Sequence, residues 1–140
     1  MRAALAAGRL AALAVVLTLA IGACGAAPPD LFEVVRTGHD RNANVTMVVS
    51  DGGTVTCNGV RHPLDSDRLL RARALMRSLE SQARLNLSLP PGPNAELSYK
   101  ERQEAGSVAF SDTSRGNPQS FLLLAAYTKD VTERVCGIQH

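Results

Sequence analysis

The chain has 140 residues, 45% of them apolar and 20% charged, with a formal charge of +2. These values fit one globular domain and exclude a disordered acidic tail, a fibrous repeat and a multidomain machine. The first 23 residues hold Arg2 and Arg9 and no acid, so residues 24–140 carry as many acids as bases and lack the net basic surface of a nucleic-acid clamp.

Met1 to Arg9 is basic, Leu10 to Ile21 (LAALAVVLTLAI) is almost wholly apolar, and small residues follow. That order is the export-signal pattern, and the apolar run is shorter than the roughly 20 residues a membrane-spanning helix needs. Directly behind it, Ile21-Gly22-Ala23-Cys24 resembles the lipobox of bacterial prolipoproteins. The resemblance implies cleavage after Ala23, a thioether-linked diacylglycerol on Cys24 and acylation of the freed amine. Two or more acyl chains hold a protein durably on a bilayer where one does not. The expected address is therefore the extracytoplasmic face of a bacterial cell membrane. An ordinary secretory peptide with a chance cysteine and an uncleaved anchor are the competing readings. The expected organisation is a signal peptide over 1–23, the lipidated cysteine and a short proline-containing tether over 24–30, and one domain over 31–140. In extended form the tether reaches about 20 Å, which keeps the domain close to the membrane.

Leu31 to Thr37 is β-branched and aromatic and reads as a strand stopped by Gly38. A polar loop over 38–43 follows. Asn44 to Ser50 and Thr54 to Asn58 flank Asp51-Gly52-Gly53, a hairpin signal because glycine supplies positive φ. Alternation puts Val45, Met47 and Val49 on one face of the first of these strands, and Val55 and Cys57 on one face of the second.

Asp65 is placed to cap a helix over about 66–84, with Asp67 favouring the positive end of its dipole. Leu69, Ala72, Met76, Leu79 and Ala83 recur at helical spacing and form one apolar stripe. Segment 89–93 (LPPGP) cannot continue a helix and is a connection. Leu97 to Arg102 and Ser107 to Ser111 read as a second hairpin with Leu97, Tyr99, Val108 and Phe110 inward. Asn117-Pro118 reads as an N-cap with proline at the first helical position. Behind it Phe121, Leu124, Thr128, Val131 and Val135 repeat at helical spacing with Leu122 and Ala125 beside them, up to a glycine stop at Gly137. The fold class is α+β: an antiparallel sheet of about five strands with two amphipathic helices on one face.

With Cys24 given to lipid, Cys57 and Cys136 remain as an even pair in an oxidising compartment. A disulfide between them would close a loop of about 80 residues, worth roughly 4 to 5 kcal/mol, and would pin the last helix to strand 54–58. Two buried free thiols or a reactive or metal-binding thiol are the alternatives, but neither cysteine has a His or second Cys at ligand spacing.

The run Phe32-Glu-Val-Val-Arg-Thr-Gly38, the helix over 66–84, the strand pair ending Val108-Ala-Phe-Ser-Asp112 and the closing helix resemble emfourin-like proteins, small inhibitors of thermolysin-type metallopeptidases. The likeness lies in order and spacing. It implies the same α+β architecture and, as an alternative function, peptidase inhibition. Gly38-His39 stands where the family pattern has a double glycine, and the lipobox and the cysteine pair lie outside it, so no functional residue carries over.

No G-x-S-x-G elbow, H-E-x-x-H, phosphate-binding loop or C-x-x-C occurs. His39, His62 and His140 do not pair at ligand spacing, and Asp65 and Asp67 are accounted for by helix capping, so neither a metal nor another cofactor is expected. Two features bear on binding. Arg68, Arg71, Arg73, Arg77 and Arg84 give the first helix a basic flank, either a contact for anionic head groups or a solvated face paired with Asp67 and Glu80. Loops 38–43 and 111–117 are polar and adjoin strands, as binding surfaces do and as ordinary connections also do. Their candidate residues are His39, Asp40, Arg41, Asp112, Ser114, Arg115 and Asn117. The expected function is that of a lipid-anchored cell-envelope protein with a small non-enzymatic domain that binds a protein or small-molecule partner and no nucleic acid. Peptidase inhibition and an envelope enzyme are the alternatives.

Overall fold

The computed structural model describes residues 29–140; the signal segment, Cys24 and most of the tether lie outside the described residues. Six strands form one antiparallel sheet: β1 (Asp30–Gly38), β2 (Val45–Ser50), β3 (Thr54–Cys57), β4 (Val60–Pro63), β5 (Leu97–Gln103) and β6 (Gly106–Ser111). Their order is β4-β3-β2-β1-β5-β6. Two helices, α1 (Ser66–Arg84) and α2 (Gln119–Arg134), complete the α+β fold. Alternation along the strands decides which side chains meet the helices. Phe32, Val34, Val45, Met47, Val49, Val55, Cys57, Tyr99, Val108 and Phe110 are buried there. The intervening positions of β1 and β5, such as Thr37, Lys100 and Arg102, face solvent.

β4 is the strand the apolar pattern does not announce. It follows β3 through the two-residue turn Asn58-Gly59, whose φ values of 47° and 83° match the turn that suits the twist of a tight hairpin. As an edge strand it tolerates Pro63 and carries the exposed Arg61, both of which discourage a further strand from adding. His62 therefore belongs to a strand. The opposite edge is covered. Segment 87–89 runs beside β6, with Ala109 N donating to Leu87 O at 3.0 Å and Leu89 N to Ala109 O at 2.8 Å.

The cap of α1 is as expected, with Arg68 N donating to Asp65 Oδ1 at 2.9 Å. Its buried positions are Ala72, Leu75, Leu79 and Ala83. Leu69 and Met76 are only half-buried, so the stripe is turned towards Leu75. The helix starts beside the β2–β3 turn, where Leu64 N donates to Gly53 O, and ends against the β5–β6 turn. There a Cβ on Gly106, whose φ is +144°, would come within 2.1 Å of Ala83 O, so only glycine lets the helix end approach. The helix thus crosses the strands, and α2 returns antiparallel to it. Phe110 stacks on Tyr99 at 5.0 Å and on Phe121 at 4.7 Å, which seats the start of α2 over β5 and β6. The end of α2 reaches β3, where Cys136 and Cys57 lie at disulfide distance.

Two details of α2 differ from expectation. Asn117 does not cap the helix: its Nδ2 donates to Ser111 O at 3.0 Å, and Pro118, with φ −60° and ψ 155°, occupies the N-cap position instead. The asparagine is drawn away because the preceding turn offers its amide a carbonyl. Leu122 is 48% exposed, since the burial of Phe121 and Leu124 turns it outward. The stop at the other end is present, with Gly137 at φ 70° and Ile138 N donating to Thr132 O at 2.8 Å.

Candidate functional site

β1 runs from Asp30 to Gly38, and its nine residues separate the two ends of the sheet by roughly 27 Å. Antiparallel pairing then sorts every connection. The turn at 51–53, the entry to α1 and the β5–β6 turn lie at the Asp30 end. Loop 39–44, the Asn58-Gly59 turn, the start of β5 and segment 112–117 lie at the Gly38 end, because Gly38 pairs with Leu97 and Ser98 with Ser111. The two candidate loops therefore share the end of the sheet opposite the start of β1.

Within that end the candidate residues divide into two groups. Asp112 accepts from the backbone N–H groups of Glu96 and Leu97, each at 3.2 Å. Ser114 is buried, donates to Pro90 O at 2.8 Å and accepts from Ser111 N at 2.9 Å. With Asn117 on Ser111 O, these three side chains are committed to holding the 111–117 turn. His39, Asp40, Arg41 and Arg115 are exposed. Gly38 lets the loop pack tightly, because a Cβ there would sit 2.7 Å from both Ala43 Cβ and Glu96 O.

The loop is anchored from below by a residue that apolar patterning passes over. Arg36 is only 1% exposed. Its Nε donates to Ala43 O at 2.9 Å, Nη2 to Asn42 O at 3.1 Å and Nη1 to Thr132 Oγ1 at 3.4 Å. One guanidinium thus joins loop 38–43 to α2. Burial lowers its pKa from the ordinary arginine value, while Tyr99 and Glu133 act the other way. A second buried charge-bearing side chain, Glu101, lies two rungs away on the same face, opposite Val34 and Val108. Neither of its carboxyl oxygens has a hydrogen-bond partner among the described residues, and burial pushes its pKa up to about 7. Both residues sit at inward positions of the period-2 pattern, and that periodicity is the signal that would have found them.

The basic flank of α1 is largely ion-paired. Arg68 bonds Asp65 and lies 2.9 Å from Asp130 Oδ2, Arg71 lies 3.4 Å from the same oxygen, Arg73 reaches Asp51 at 2.6 Å and Arg84 pairs with Glu80. Hydrogen bonds from Arg68 hold the Asp65 and Asp130 carboxyls below the usual carboxylate range. This pairing favours a solvated face over a lipid contact, although Asp130 and Asp51 take the place of the expected Asp67. Between the outer sides of the helices runs an apolar groove of about 380 Å³ bordered by Ala74, Leu75, Leu123 and Ala126. Among the described residues no three His, Cys, Asp or Glu side chains converge as a metal site would need, and no helix is long and apolar enough to cross a membrane. Compared with known proteins, the chain matches no family model, no curated protein and no solved structure.

Proposed function

We propose that this is a lipid-anchored protein of the bacterial cell envelope, held at the extracytoplasmic face of the cell membrane through Cys24, whose domain binds a partner and performs no catalysis. The polarity of the sheet carries this reading. The first strand enters from the tether and delivers His39, Asp40 and Arg41 to the opposite end, the end that also carries Arg115. A short tether on a stable lipid anchor leaves that end as the surface farthest from the bilayer. The cysteine pair at disulfide distance fits an oxidising compartment.

The experiment joins placement to binding. Wild type should incorporate labelled palmitate and fractionate with membranes, and Cys24→Ser should lose both. A photo-crosslinking residue at His39 or Arg115 should capture a discrete partner that the same residue at Asp67, on the tether side, does not. Absence of label with unchanged fractionation of Cys24→Ser would remove the anchor, and equal capture from both ends would remove the far-end surface.

A further inference from the structure

Arg36 is a buried cation whose charge has no carboxylate within ion-pair distance among the described residues. A guanidinium has five N–H donors, and the two backbone carbonyls and the Thr132 hydroxyl take three of them. Nη1 and Nη2 each keep one N–H to give. A buried charge normally gains a close counter-ion, since neutral acceptors alone leave much of the desolvation cost uncompensated.

The guanidinium borders a cavity of about 240 Å³ between α2 and the β1–β5 pair. Tyr99 forms another part of the wall. Its ring is fixed by the stack on Phe110, and its hydroxyl makes no hydrogen bond among the described residues. Leu97, Ala125 and Ala126 supply apolar surface, and Lys129 brings a second cation. Among the described residues Glu133 is the acidic side chain on the lining, and His140 completes it. Arg36 N–H groups and a Tyr99 hydroxyl without acceptors among the described residues, a second positive charge and an apolar wall suit a small organic anion.

We propose that this cavity binds a small organic carboxylate, with the anion on Arg36 and Tyr99 and the hydrocarbon part against Leu97, Ala125 and Ala126. A planar carboxylate matches the paired donors of a guanidinium. At about 30 Å³ per water the space equals roughly eight waters, which suits an acid of about six to ten heavy atoms and is below the usual drug-sized pocket. The site adjoins the far-end loops through Asn42 and Ala43 but stands without the lipid anchor.

The test uses the full chain in detergent with butyrate, benzoate, butyramide and inorganic phosphate as probes, read by titration calorimetry and ligand-observed NMR. Because Arg36 also anchors the loop, the variants are Tyr99→Phe, Lys129→Gln and Glu133→Gln. Butyrate or benzoate should bind saturably and butyramide should not. Tyr99→Phe should weaken binding about tenfold, the effect of one hydrogen bond to a charged group. Lys129→Gln should weaken it by about two- to fivefold and Glu133→Gln should tighten it by a similar factor, as expected of charges in partly screened positions. A purely structural role for these side chains would not make the Glu133 variant bind better. Failure of both acids to bind, phosphate binding in their place, equal binding of butyramide, or variants indistinguishable from wild type would overturn the proposal.

Discussion

Arg36 and Glu101 are both buried on the helix side of the sheet, two rungs apart on β1 and β5, and the fold treats them in opposite ways. Arg36 is given two backbone carbonyls and a hydroxyl, borders a cavity and keeps its charge. Glu101 is given no partner among the described residues and faces Val34 and Val108. The lesson is that a buried ionisable group survives either by being solvated by the protein or by giving up its charge, and the two outcomes leave different signatures in stability.

Breaking the solvated member should have the largest effect. Arg36→Met orphans the Ala43 and Asn42 carbonyls and frees loop 38–43 from α2, and we expect a loss of about 3 to 4 kcal/mol in urea unfolding. Glu101→Gln acts in the other direction. The unfolded carboxyl titrates near 4.5 and the folded one near about 7, so the folded state holds its proton more tightly. That contribution is complete below pH 4.5 and is lost as the pH rises through 7. Wild type should therefore be about 3 kcal/mol less stable at pH 8 than at pH 4.5 from this group alone, and Glu101→Gln should flatten the profile and be the more stable protein at pH 8. A smaller effect is expected of Thr132→Val, which removes the hydroxyl that Arg36 Nη1 reaches while keeping the shape: about 1 kcal/mol. Smallest is Arg84→Ala, which breaks an exposed helix pair with Glu80 and should leave the Tm unchanged at physiological salt. An Arg84 effect as large as that of Thr132→Val would blur the distinction between buried and surface charge on which the contrast rests.

Much of the fold is legible in the sequence because its elements obey single-period rules. The β2–β3 and β5–β6 hairpins, the cap at Asp65 and the stop at Gly137 each rest on a local signal that tertiary packing does not override. β4 is less legible because Val60-Arg-His-Pro63 has a single apolar residue and ends in proline, which an edge strand tolerates and a central one would not. The Asn58-Gly59 turn is the cue that announces it. Asn117 illustrates the reverse case, a residue suited to capping that a nearby carbonyl claims for the preceding turn.

The site is less legible than the fold. Loops 38–43 and 111–117 can be marked as polar connections, but only the register shows that they meet at one end, and only the hydrogen bonds show that Asp112, Ser114 and Asn117 hold the turn from within. Arg36 and Glu101 escape notice because composition assigns charged residues to the surface. Alternation from Phe32 and from Tyr99 places both of them inside.

The proposed binding surface depends on where the chain is fixed, since an anchor ahead of β1 would give the sheet its near and far ends. Intact-mass spectrometry of protein extracted from membranes answers this directly. The prediction is a polypeptide lacking residues 1–23 and carrying a diacylglycerol on its new N-terminal Cys24, with a further acyl chain where the amine is modified. A mass equal to the uncleaved chain, or to a cleaved chain with an unmodified Cys24, would contradict it.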